Sequence, residues 1–450
     1  MTMTHRIRIT NAKLVNEGQI IETELLIEKG RILQISPSVS INGQVETVDL
    51  NGDWLMPGVI DDQVHFREPG LTHKAQIFTE SRAALRGGVT SYMEMPNVVP
   101  QTVDLQRLEE KYAIGARDSA VNYSFYLGAT NENTEEVKRV STEDVCGVKV
   151  FMGSSTGDML VDKPAALASI FANSPTLVAV HCECEQRVKE RTQAALQQFG
   201  LEMPAAQHPI IRDDLACYLS SSQAVELAKQ HGTRLHILHL TSALELDLFR
   251  NDIPLRDKRI TAEVCVHHLH FSDADYGRLG FLIKCNPAIK KESDRLALWK
   301  ALLDDRLDVI ATDHAPHTWE EKNTLDYTKA PSGLPLVQHS LLLMLEHAQQ
   351  GHIALTRVVE KMSHAVADCY RMVDRGYVRE GYWADLVQVS AQPSQVAKAD
   401  LEYKCAWSPL ENQRFSHSIE RVWINGELGY RSGAINDSVR GQRLKFEAQR

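Results

Sequence analysis

Short apolar runs alternate along the chain with longer stretches of helical spacing, and the texture is different at the two ends. Over the first 55 residues the period is two. "RIRIT" sets Ile7 and Ile9 against Arg6 and Arg8, as a half-buried strand requires. "LLIEKGRILQI" places Lys29-Gly30 between apolar runs, which predicts a hairpin. The C-terminal part returns to this texture, and "ERVWINGELGYRSG" carries the strong hairpin cue Asn425-Gly426. Between the ends, "TESRAALRGG" reads as a helix closing on paired glycines, which supply a left-handed cap, and "VTSYMEMP" reads as the strand that follows. The same alternation recurs at "CGVKVFMG", "TLVAVHC", "RLHILHLTS", "RITAEVC" and "LDVIATDHAP". Repeated β-then-α units predict a parallel sheet, and eight would close a barrel, although the pattern alone does not count eight. No short repeat or low-complexity segment interrupts it, which argues against a solenoid.

The length of 450 residues suits one large α/β barrel plus an accessory module. A hydrophobic share of 43% and a charged share of 24% are those of a soluble globular protein. The formal net charge of −10 leaves no basic surplus to neutralise phosphates, which argues against a nucleic-acid partner. The opening "MTMTHRIRIT" has no apolar core of a secretory signal, and no apolar run approaches the roughly 18 residues that cross a bilayer. The expectation is a cytoplasmic protein with a small-molecule substrate and no membrane partner. Eight scattered cysteines do not make a disulfide framework. Cys182 and Cys184 form no CxxC pair and read as free thiols, Cys182 as a small buried side chain at a strand end.

Polar, metal-capable residues stand at the C-terminal ends of the apolar runs, the end at which barrels carry catalysis. In "GVIDDQVHFREPG", Asp61, His65 and Arg67 read as part of a metal hydrolase signature. His65 follows that first run, His181 ends "LVAV", His239 ends "LHIL" and Asp313 ends "VIAT". A single such residue is unremarkable, but four at successive strand ends, gathered at one barrel mouth, predict a metal site with an Asp as ligand or base. Lys149, inside the apolar strand of "GVKVFMG", reads in two ways. It reaches outside the barrel or pairs with a buried carboxylate, or it is a neutral amine able to take up carbon dioxide as a bridging carbamate. Arg67 offers a planar fork for a carboxylate, or pairs with Glu68 or another acid. Asn97 and Asn286 are anion donors at strand ends, or turn residues beside proline. In "TDHAPH", Asp313 is placed to accept a proton from an attacking water and His317 to position substrate, while His314 reads as structural. His267, His268 and His270 read as structural, since adjacent residues on a strand point to opposite faces.

Taken together, "MPGVIDDQVHFREPG", "RGGVTSYMEMPN", "GVKVFM", "AVHCE", "ILHLTS", "ATDHAPHTWEEKN", "EGYWADLV" and "RVWINGE" resemble the dihydroorotases of the amidohydrolase superfamily, in chain order over nearly the whole length. The resemblance implies a (β/α)8 barrel of the TIM type over residues 56–370. It also implies a β-sandwich accessory domain built from residues 1–55 and 371–450. It further implies a centre of one or two zinc ions, with N6-carboxylated Lys149 bridging the metals and His181 and His239 holding one of them. His239 rather than His236 matches the family ligand by standing next to "LTS". His65 and Asp313 would hold the other metal, Asp313 also serving as base, with Arg67, Asn97, Asn286 and His317 at the substrate carboxylate. A homodimer is the assembly it suggests.

The departure is Gln63, where the family pattern has the first histidine of His-x-His. An amide oxygen ligates zinc weakly, so Gln63 is expected to leave the first metal position weak or absent. The activity implied is reversible hydrolysis of L-dihydroorotate to N-carbamoyl-L-aspartate in pyrimidine synthesis. The rival readings are another cyclic amidohydrolase (allantoinase, hydantoinase or dihydropyrimidinase) and a non-catalytic dihydroorotase-like subunit beside aspartate transcarbamoylase. The segment after His317, "TWEEKNTLDYTKAPSG", is a candidate mobile loop.

Overall fold

The structure, a computed structural model, describes residues 6–41, 43–153 and 159–448. Met1 to His5, half of the opening stretch discussed above, lie outside the described residues. Period-two patterning at both ends becomes a single nine-stranded sheet. Arg6–Asn16, Gln19–Glu28, Arg31–Ser36, Glu46–Asp49 and Trp54–Pro57 come from the start of the chain. Leu386–Ser390, Ser418–Ile424, Glu427–Arg431 and Ala434–Ile435 come from its end, and the halves join where Trp54–Pro57 runs antiparallel to Leu386–Ser390. Both predicted hairpins form. Lys29 and Gly30 have φ of 51° and 79°, and Asn425 and Gly426 have 51° and 79°, the paired left-handed residues of a type I′ turn. The two turns also pack on each other: a Cβ at Gly30 would stand 2.5 Å from the Asn425 carbonyl oxygen, so neither turn tolerates a side chain there.

The central region closes a barrel of eight parallel strands among the described residues. In order they are Val59–Val64, Val89–Glu94, Asn122–Phe125 continued as Leu127–Gly128, Val148–Phe151, Val178–His181, Leu235–Ile237, Ile260–Cys265 and Val309–Ala311. Tyr126 breaks the third strand, and the pattern could not count eight partly because that strand is split. The strands are buried on both faces almost throughout, which explains why they read as short continuous apolar runs rather than as alternation. The first and eighth strands meet through a parallel bridge between Val64 and His314, and the His65 N–H donates to the His314 carbonyl at 2.7 Å. At the opposite end Tyr370, closing the helix Ala365–Tyr370, plugs the barrel, its hydroxyl 2.7 Å from that of Tyr126. The helix Ile77–Arg86 ends at the predicted Gly-Gly, and the left-handed residue is Gly88 (φ 82°). All eight cysteines are free thiols, and all but Cys184 are buried. No described helix is long and apolar enough to cross a membrane.

A buried polar knot joins barrel to terminal sheet. Asp385, beside the strand Leu386–Ser390, is ion-paired to Arg375. It also accepts from Asn122 Nδ2 at 3.2 Å and from the Asn425 N–H at 2.8 Å. Asn425 bonds in turn to Asn122 and Arg375. Removing the acid strands a buried guanidinium, so Asp385→Ala is expected to lower the unfolding free energy by about 3–5 kcal/mol. Urea titration followed by circular dichroism measures it, and a loss below about 1 kcal/mol would show that the knot is dispensable.

Candidate active site

The first strand carries Asp61, Gln63 and His65 to its seam with the eighth strand, and that seam decides what they meet. Asp61 accepts from the Thr312 hydroxyl at 2.5 Å and from the backbone N–H groups of Gln63 and Thr312. It is sealed inside, and burial holds its carboxyl well above the usual range. Its role is therefore to tie the seam. Gln63 and His65 both converge on Asp313 Oδ1: Gln63 Nε2 donates at 3.1 Å and His65 Nε2 lies at 3.1 Å. The other ring nitrogen of His65 is 2.9 Å from Asn97 Oδ1. Asn97 thus orients the His65 ring at the mouth of the site, a contact that the sequence did not suggest. Burial lowers the His65 pKa, partly offset by Asp313, which favours a neutral imidazole.

On the far side, Lys149 is buried, and among the described residues its Nζ has no hydrogen-bond or ion-pair partner; it lies 4.6 Å from the centre of the Phe151 ring. Burial pulls the amine down to about 7 against the attraction of Asp313, Glu263 and Cys182. Of the two readings of this lysine, neither an outward reach nor a carboxylate pair is present. His181 Nε2 donates to Glu183 Oε2 at 3.0 Å, which leaves Nδ1 with a lone pair 3.0 Å from His239 Nε2. Glu183 is buried, but Arg212 and His181 outweigh that penalty and hold its carboxyl down at about 2. The His239 N–H donates to Glu263 at 2.8 Å, its φ is 39°, and its Nδ1 is buried without a partner. Two imidazole nitrogens and a neutral amine, brought together by adjacent strand ends, are donors suited to a divalent ion.

Arg67 sits at the rim with φ 68° and is 6% exposed. Its Nε donates to the Pro316 carbonyl at 3.1 Å, and Nη2 lies 3.1 Å from His317 Nε2. No described carboxylate forms an ion pair with it. Glu68, its suggested partner, instead accepts from the N–H of Ile77 at 2.9 Å. Burial lowers the guanidinium to about 10. His317 is held by Lys74 Nζ at Nδ1 (3.0 Å) and by the Ser332 carbonyl at Nε2 (3.0 Å). Asn286 Oδ1 is buried without a partner.

His314 accepts from the N–H groups of Leu336 and Val337 at Nδ1 and donates to Glu80 at 2.8 Å, a structural set. His267, His268 and His270 do not lie on a strand but on the single helical turn Val266–His270, so the argument from opposite strand faces does not apply. His268 donates to Pro287 and His270 meets His347, while both ring nitrogens of His267 are buried without partners. The segment after His317 is not free. Thr318 caps the turn Trp319–Lys322, the buried Lys322 donates to the Lys284 and Pro331 carbonyls, and Tyr327 bonds His208. Sequence reasoning missed Glu183, Glu263 and Lys74. Glu183 was findable two residues beyond His181; Lys74 gave no signal, since its place depends on chain folding.

The sequence model of the amidohydrolase family matches residues 54–429. A dihydroorotase of Methanosarcina mazei is 31% identical over 418 residues, 90% of each chain. An allantoinase of Desulfitobacterium hafniense is 28% identical over 447 residues, 97% of this chain and 98% of the relative. In structure the chain is similar to the L-hydantoinase (dihydropyrimidinase) of Arthrobacter aurescens, with a TM-score of 0.91 at 23% identity over 96% and 98% of the two chains. A barrel mouth bearing ligand-type side chains, in a chain that matches the family over most of its length, leads to one conclusion: this protein belongs to the amidohydrolase family and is a cyclic amide hydrolase.

Proposed function

We propose that the protein is a dihydroorotase, interconverting L-dihydroorotate and N-carbamoyl-L-aspartate in the cytoplasm. The observation that carries this reading is Arg67, a buried guanidinium at the rim of the site that no described carboxylate pairs. A buried cation of that kind is costly unless a ligand supplies the negative charge, and the ring carboxylate of dihydroorotate is such a charge. In this reading His317, 3.1 Å from Arg67, would complete the clamp together with Asn286, whose Oδ1 is buried without a described partner, and Asn97.

His181, His239 and Lys149 would hold one zinc ion, and His65 with Asp313 a second, weaker one. Lys149 suits carboxylation, because burial pulls its amine down to about 7, so that a large fraction is neutral at that pH, and carbon dioxide adds to neutral amines with loss of a proton. A bound zinc ion supplies Lewis acidity toward the ring amide carbonyl and lowers the pKa of water. Asp313 takes the proton of the attacking water and later returns it to the departing ring nitrogen. Arg67 fixes the ring by its carboxylate so that the amide faces that water. Gln63, by donating to Asp313, occupies part of the space of the expected second imidazole and keeps the base oriented.

Arg67→Met is expected to lower kcat/KM for dihydroorotate by about a hundredfold or more. Near-normal kinetics would remove the carboxylate clamp, and faster hydrolysis of allantoin or dihydrouracil than of dihydroorotate by the unaltered protein would move the assignment to another cyclic amide. Chelator-stripped protein is expected to regain activity with zinc and bicarbonate, while Lys149→Met does not. If the unaltered protein stays inactive after both are supplied, the catalytic reading fails and a non-catalytic subunit becomes the better account.

A further inference from the structure

Deeper in the barrel lies a second group of ligand-type side chains that this reaction does not use. Asp62 on the first strand, His236 on the sixth and Glu263 on the seventh are each fully buried. His236 Nε2 is 3.3 Å from Asp62 Oδ2 and 3.4 Å from Glu263 Oε2, and the three ligand atoms lie within 4.8 Å of one another. Both distances are long for N–H···O bonds, which cluster between about 2.7 and 3.2 Å. Among the described residues, neither Asp62 oxygen, nor Glu263 Oε2, nor His236 Nε2 has a hydrogen-bond partner. Glu263 Oε1 is already engaged by the His239 N–H and the Cys265 thiol.

The other side of the His236 ring indicates the tautomer. Nδ1 is 2.8 Å from Thr261 Oγ1, and that hydroxyl donates to the Leu235 carbonyl at 3.3 Å; the Cys369 sulfur lies further off at 3.7 Å. With that hydroxyl hydrogen spent on Leu235, Nδ1 donates to Thr261, and a neutral ring then points the Nε2 lone pair at two carboxylates. That arrangement is repulsive unless a proton or a metal ion lies among the three. Around tetrahedral zinc, with bonds of about 2.0–2.2 Å, neighbouring ligand atoms are about 3.3–3.6 Å apart, which fits the two separations from His236 Nε2. Two ionised carboxylates and a neutral imidazole would balance a divalent ion.

We propose that Asp62, His236 and Glu263 form a closed structural site for a divalent transition-metal ion of the zinc class, separate from the Lys149–His181–His239 group. Asp62 can add its second oxygen as a chelating fourth donor in a distorted arrangement, and the ion ties the first, sixth and seventh strands together beneath the reaction site. The proposal does not depend on which cyclic amide is hydrolysed.

Crystals of the unaltered protein grown with zinc, measured at the zinc absorption edge, read the two positions separately. An anomalous peak among Asp62, His236 and Glu263 is expected whether or not the upper site is filled; its absence overturns the proposal and says nothing against the hydrolase reading. In solution, Lys149→Met/His181→Asn protein is expected to retain about one chelator-resistant zinc ion per chain. Adding Asp62→Asn is expected to release that ion, and retention of the ion despite Asp62→Asn would overturn the assignment. If either variant fails to fold, nitrogen-15 NMR of the zinc-loaded unaltered protein decides: a His236 ring protonated at both nitrogens would replace the ion by a proton.

Discussion

The backbone bond from His65 to the His314 carbonyl closes the barrel, and the chemistry at its mouth depends on that closure. It places the end of the first strand against the end of the eighth, so that Gln63 and His65, 250 and 248 residues away from Asp313 in sequence, both reach one carboxylate oxygen. Asp61, with burial holding its carboxyl high, and Thr312 reinforce the same seam one step lower. A strand slip of one residue would turn this set out of the site, since alternate side chains point to opposite sides.

Closure also sets the electrostatics. Excluding water from the mouth penalises every charge there, and each group answers differently according to its neighbours. Lys149, without a bonded partner, is pulled toward neutrality near 7. Glu183, beside Arg212 and His181, stays ionised despite complete burial. Arg67 keeps its charge, as a guanidinium must, with no acidic partner among the described residues. Backbone conformation carries part of the cost. Arg67, His239 and Asp313 all have positive φ, and non-glycine residues held there cost of order 1–3 kcal/mol each, a strain that surrounding structure sustains at functional sites.

Gln63 is the point at which the chain departs from its relatives' pattern, and the structure gives that departure a local logic. The amide serves Asp313 without adding charge, while the neighbouring residue, Asp62, adds a carboxylate to the deep group with His236 and Glu263. The second half of the centre, built on the fourth to sixth strands, is untouched by either residue.

The sequence alone determined the architecture and the identity of the chemical groups. Apolar runs, turn dipeptides and residues at strand ends are local features, fixed by what must be buried and what conformation each residue tolerates. The Lys29-Gly30 and Asn425-Gly426 turns and the row of His65, Lys149, His181, His239 and Asp313 were legible for that reason. Tertiary structure alone decided who meets whom: that no described acid pairs with Arg67, that Asn97 holds His65, and that the segment after His317 is pinned. These outcomes rest on contacts between residues distant in the chain, and on a burial that only the closed barrel creates.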